Sequence, residues 1–188
     1  ECGKAGDGVC VSFGINESGT GHGPVRPQAV QSEMETMADE VAAKKATMIP
    51  TTSSPLQVWS GATINNSRLQ PYCDATKAVG MRKTLLVDDL NARGVEYYNM
   101  VGMSAANAIT FNGDKAHFNK QGATEMARLA SQELKRINSP LAAYLKLPGR
   151  SGHFFPDPQP CGRMRPGGAD TGARAAMVPL RAQRNPRA

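Results

Sequence analysis

Short β-forming runs alternate with longer amphipathic ones along this chain, and that alternation constrains its fold most. Residues 9–13 read Val-Cys-Val-Ser-Phe and residues 46–49 read Ala-Thr-Met-Ile, the second expected to stop at Pro50. Residues 84–87 are expected to form a third strand, with Asp88 and Asp89 at its carboxyl end. The intervening stretches carry apolar residues at helical spacing. A helix near 30–45 would bury Met34, Met37, Ala38, Val41 and Ala42. A second helix, capped by Ser67 with Pro71 in or just after its first turn, would bury Leu69, Tyr72, Cys73, Thr76 and Val79 and end at Gly80. A third, over about 89–101, would bury Leu90, Tyr97, Tyr98 and Val101 and stop at Gly102. The last, about 120–137, is capped by Asn119 and presents Ala123, Met126, Ala127, Ala130, Leu134 and Ile137. Strands alternating with helices predict an α/β fold with a parallel sheet covered on both faces. Sites in such sheets form beyond the carboxyl ends of the strands. Residues 14–17 and the 50–66 loop are therefore candidate site elements, joined by the loop before the last helix.

Charge and composition narrow the classes. The net charge is +6, but residues 147–188 hold seven Arg and two Asp, so the remainder is nearly neutral. A basic surface for nucleic acid is not expected on the folded part. No run of about 18 apolar residues occurs, so no membrane span is expected. The first residues show no signal peptide and no initiating Met, and the chain is read as beginning inside a longer protein. From about 147 the chain turns rich in Pro, Gly, Ala and Arg without periodicity, which predicts a disordered tail after a domain at 1–146. The four Cys, at 2, 10, 73 and 161, form no C-x-x-C pair, and His22, His117 and His153 lack metal-ligand spacing. A Cys2–Cys10 disulfide and free thiols remain equally open.

Asp114-Lys115-Ala116-His117 is the strongest local signal for chemistry. A serine esterase needs a His to take and return the nucleophile's proton, and a carboxylate to fix the ring's tautomer. A three-residue offset on a loop brings the two within reach. The same pair could serve only to cap the following helix.

This motif, followed by a polar turn, Gly122-Ala123 and a helix, resembles the final sequence block of the SGNH/GDSL-type hydrolases. The resemblance implies that Asp114 orients and His117 acts as general base. Residues 5–19, with Ala5-Gly6-Asp7 before the strand and Phe13-Gly14-Ile15-Asn16-Glu17 after it, resemble the family's third block. There an Asn amide donates to the oxyanion, a role that would fall to Asn16, while Gly14 lets the strand end turn sharply. Ile15 and Glu17 depart from the residues usual in that block. Ser53-Ser54-Pro55 running to Trp59, then Arg68 and Tyr72, is similar to the rhamnogalacturonan acetylesterases, as is the segment 139–145. Trp59 would then be a sugar-stacking residue, although a single Trp is as often a core anchor.

The resemblance implies a three-layer α/β/α, flavodoxin-like fold, truncated at its N-terminus. It also implies an extracellular serine esterase acting on acetylated polysaccharide or a small ester, with no metal or organic cofactor. The blocks that supply the Ser and a second oxyanion donor precede the third block, and no G-D-S or G-x-S-x-G occurs in this chain. The chain alone is therefore expected to be inactive, with one face of the 9–13 strand uncovered and one sheet edge open. Two rival expectations are a non-catalytic carbohydrate-binding protein on the same fold and a basic protein acting through its Arg-rich tail. The sequence leaves the oligomeric state open.

Overall fold

The computed structural model describes residues 3–19, 23–111 and 113–145. The tail expected at 147–188, together with Cys2, His22, Cys161 and His153, lies outside the described residues. Within them run β1 (Gly8–Phe13), α1 (Pro27–Ala43), β2 (Thr47–Thr52), a two-residue-strand hairpin β3 (Trp59–Ser60) and β4 (Thr63–Ile64), α2 (Gln70–Lys83), α3 (Leu90–Ala108), α4 (Lys120–Arg136) and a 3-10 turn at Pro140–Tyr144. β1 and β2 pair in parallel, from Gly8 opposite Thr47 to Phe13 opposite Thr52.

Alternation along these strands decides what covers them. Val9, Val11 and Phe13 pack with Met48 against Val30, Met34, Ala38 and Val41 of α1 and Tyr72 and Val79 of α2. Burying each such side chain contributes about 1.5–3 kcal/mol, so this is the principal core. On the other face β2 is buried but Gly8, Cys10 and Ser12 of β1 are exposed. No strand pairs with the far edge of β1 among the described residues. Cys10 and Cys73 are free thiols.

Several sequence expectations need correction. The third strand reduces to one parallel bridge, Thr51 to Asp88. Thr84 takes a left-handed conformation that ends α2, Leu85 N donates back to Gly80 O, and Leu86 is 42% exposed. Residues 85–87 are thus a connector, whatever their β propensity. β2 runs through Pro50 to Thr52. Pro50 O accepts from Asp88 N, and a strand residue's N–H and C=O point the same way, so the missing donor falls on the side that carries only that bridge. α2 begins at Gln70 and not behind Ser67, makes no side-chain cap, and passes Gly80. Gly102 does break α3, with φ 80° inside an otherwise helical run that resumes to Ala108. Ala42 of α1 and Ala123 and Ala127 of α4 are exposed.

α4 buries Met126, Leu129 and Leu134 together with Arg128 and Glu133. Glu133, 1% exposed, takes Arg93 Nε of α3 at 2.8 Å and Arg136 Nε at 2.7 Å. Burial alone would raise its pKa, but Arg136 and Arg93 outweigh that and hold it below the usual range. The buried ion pair joins α3 to α4 and turns the helix face away from the one its alanines mark.

Asp88 is buried without compensation. It is 2% exposed, its Oδ1 has no hydrogen-bond partner among the described residues, and burial, then Glu133 and Asp89, push its pKa up to about 7. A carboxyl with a raised folded pKa favours folding only while protonated. Its contribution is complete below about pH 4, falls as pH rises from there, and levels off above about 7. The whole change is at most about 4 kcal/mol. Asp88→Asn is expected to match the wild type in urea unfolding near pH 4 and to be several kcal/mol more stable at pH 8. An equal difference at both pH values would refute this.

Candidate active site

The loop that carries Asp114 and His117 is closed at its base. Thr110 and Phe118 form an antiparallel bridge, Phe111 N donates to His117 O, and Asp114 N donates to Phe111 O. Asn119 ties the loop to both flanking helices. Its Oδ1 accepts from Gly122 N at 3.0 Å to cap α4, and its amide donates to Ala108 O at 2.8 Å at the end of α3. Gly122 is required by close approach, because a methyl group there would overlap the carbonyl oxygen of Ile109.

This frame fixes the Asp-His pair. Asp114 Oδ1 accepts from the backbone N–H of Ala116 at 2.6 Å and of His117 at 2.8 Å. Its Oδ2 faces His117 Nδ1 at 2.7 Å. The His117 N–H, the Ala116 N–H and the His117 ring together hold the Asp114 carboxyl at about 2, so it stays ionised through the ordinary acid range. An ionised carboxylate only accepts, so the neutral imidazole carries its proton on Nδ1 and leaves Nε2 as a free base. The His117 side chain is 78% exposed.

Asn16 reaches the same place from the carboxyl end of β1. Gly14, at φ 131°, turns the chain so tightly that a Cβ would stand 2.8 Å from Ser53 Oγ. Glu17 folds back to accept from Gly14 N at 2.7 Å, and Ser18 N donates to Gly14 O. Tyr72 of α2 donates to Val25 O at 2.8 Å and holds the loop's far end. Asn16, Gly14 and His117 line one cleft of about 460 Å³, with Ser12, Ser53 and Ser54 among its other walls. The exposed Asn16 side chain makes no hydrogen bond among the described residues. Asn16 and His117 thus line the same cleft.

Trp59 does not join them. It lies half-buried on the β3–β4 hairpin, its Nε1 is buried without a hydrogen-bond partner among the described residues, and it is not among the residues lining this cleft. Sequence reasoning missed the supports: Thr52, whose hydroxyl donates to Asp89 at 2.9 Å and accepts from Asn91 N, and Asn91, whose amide holds Ser53 O at 2.8 Å. These bonds fasten the end of β2 to the start of α3. No sequence pattern marks them, apart from Asp89 at a cap position.

The cleft serines are accounted for. Ser53 Oγ donates to Phe13 O at 2.5 Å, and the nearby buried Ser18, which does not line the cleft, donates from its Oγ to Ile15 O at 2.9 Å. Ser12 lies inside a regular strand and Ser54 precedes Pro55 in the irregular run after β2, so neither has the sharp strand-to-helix turn of an esterase nucleophile.

The cleft lined by His117 and Asn16 lies at the carboxyl end of β1, and the chain has the α/β fold of the SGNH/GDSL-type hydrolases. It is 29% identical over 134 residues to the uncharacterized esterase YxiM of Bacillus subtilis, over 71% of this chain and 35% of that protein. The crystal structure of the Bacillus subtilis protein superposes with a TM-score of 0.65 at 27% identity, over 73% of this chain and 39% of that one. An acetylxylan esterase of Geobacillus stearothermophilus, Axe2, shares the fold with a TM-score of 0.52 at 16% identity, over 68% of this chain and 59% of that one. The chain thus spans about a third of the length of its curated relative. No family model matches it.

Proposed function

We propose that these residues serve a serine carbohydrate esterase that removes acetyl groups from a polysaccharide. The observation that carries the proposal is the shared cleft, with the Asp114-held imidazole and the unengaged Asn16 amide on its walls. In the first step a serine Oγ attacks the acetyl carbonyl and its proton passes to His117 Nε2. The carbonyl oxygen becomes an oxyanion, which accepts from the Asn16 amide. Collapse breaks the ester bond, and the sugar hydroxyl leaves with the proton from His117. Water, deprotonated by the same Nε2, then attacks the acetyl-serine and releases acetate. An Asn donor of this kind is worth a factor of about 100–1,000 in kcat.

We place the nucleophile outside the described residues, in a G-D-S block of the kind the resemblance implies, since no G-D-S occurs among residues 1–188. The finer reading is a pectic, rhamnogalacturonan-like substrate met outside the cell, supported by the similarity of residues 53–72 to the rhamnogalacturonan acetylesterases.

The 188-residue chain alone is expected to resist stoichiometric labelling by a fluorophosphonate; full modification of one of its serines would refute the placement of the nucleophile. A form carrying that nucleophile is expected to release acetate faster from acetylated rhamnogalacturonan than from acetylated xylan. The reverse order would overturn the pectic reading. Binding without any acetate release would favour a non-catalytic carbohydrate-binding protein.

A further inference from the structure

A second hollow of about 660 Å³ adjoins the cleft, and the two share Ile15, Asn16 and Ala116 as a common wall. Its remaining lining is Leu56 and Val58 with Arg68, Lys115 and Gly19, and no acidic side chain lines it. We propose that this hollow takes the carboxylate of a uronic acid unit next to the acetylated sugar, with Arg68 and Lys115 as its specificity-determining residues. The proposal rests on the esterase reading of the adjoining cleft.

Arg68 is held in advance of any ligand. Its Nε donates to both the carbonyl and the hydroxyl of Ser18 at 3.1 Å, and that hydroxyl donates onward to Ile15 O. Ser18 is therefore a prop for the guanidinium. The two terminal nitrogens of Arg68 have no partner among the described residues, and one would stand 3.5 Å from a Cβ at Gly19. A planar guanidinium held at Nε can offer its remaining edge to a carboxylate. Lys115 is anchored by its own carbonyl, which accepts from Gln57 N at 2.9 Å, while its ammonium has no acidic partner among the described residues. By contrast Lys77, Arg82 and Lys83 of α2 pair with Asp89, Glu35 and Asp39. Two cations without carboxylates, over a floor of Ile15, Leu56 and Val58, fit a ring with an apolar face and one negative charge.

The test is a titration of the 188-residue chain, followed by NMR, with de-esterified tetragalacturonate, with neutral xylotetraose and with inorganic phosphate. Tetragalacturonate is expected to bind tightest and to weaken with added salt. Arg68→Ala and Lys115→Ala are each expected to weaken it about tenfold, the low end for a charged hydrogen bond at an exposed site, and to leave xylotetraose unchanged. Lys115 makes no side-chain bond in the fold, so its variant keeps the test decisive if loss of Arg68 disturbs Ser18. Equal binding of xylotetraose, binding indifferent to both substitutions, or phosphate as tight as tetragalacturonate would overturn the proposal. His117→Ala should not alter this binding, so failure of the esterase reading would appear only in acetate release.

Discussion

Asp114→Asn is expected to lower kcat for acetate release by a factor of about 10,000, with little change in KM, in a form of the protein that carries its nucleophile. The two backbone N–H groups of Ala116 and His117 both point at Asp114 Oδ1, at 2.6 and 2.8 Å. A carboxamide must put its oxygen there, because its NH2 would face two donors. The NH2 is then left at the Oδ2 position, 2.7 Å from His117 Nδ1, and donates to it. That forces the ring proton onto Nε2, which can no longer accept from a serine. The replacement is nearly isosteric, so the fold and substrate binding should survive. Activity within about tenfold of the wild type would show that His117 does not depend on Asp114.

Gly122→Ala is expected to destabilise the chain by several kcal/mol and to displace the loop that carries Asp114 and His117. Its added methyl would meet backbone, the Ile109 carbonyl, and would also stand 3.0 Å from the Phe118 ring. A flexible side chain could move aside, but Ile109 cannot, because its carbonyl also accepts from Asn119 N at 3.2 Å. Relief requires α4 to shift, which breaks the Asn119 cap and loosens the base of the loop carrying His117. The cost falls in the range of severe overpacking combined with a lost cap, about 2–5 kcal/mol. Chemical denaturation measures the loss directly. A variant within about 0.5 kcal/mol of wild type would mean that the helix and loop can separate freely, against the packing described here.

The parts legible in the sequence were those set by local rules. The Asn119 cap, the break at Gly102 and the inner face of α2 follow from capping, a positive φ and helical spacing, each contained in a few residues. The Asp114–His117 pair was legible for the same reason, because its partners are three residues apart. Leu85-Leu86-Val87 misled because a parallel strand exists only if its neighbour accepts it, and β2 takes only Asp88. The face of α4 misled because Arg128 and Glu133 are buried in ion pairs, whereas a pattern reading sends charges to solvent. Asn16 could be named only through a family resemblance; what places it is the local bond of Glu17 to Gly14 N together with that of Tyr72 to Val25 O, which spans 47 residues. The anchoring of Arg68 by Ser18 spans fifty residues and leaves no trace in spacing.

The central claim is that the Asp114 carboxylate sets the His117 ring so that its Nε2 is a free base over the Asn16 cleft. Nitrogen-15 NMR of the neutral imidazole in the 188-residue chain tests it most directly. A ring protonated at Nδ1, with that tautomer lost in Asp114→Asn, is the expected result. A ring protonated at Nε2 in the wild-type chain, or a tautomer indifferent to the substitution, would contradict it.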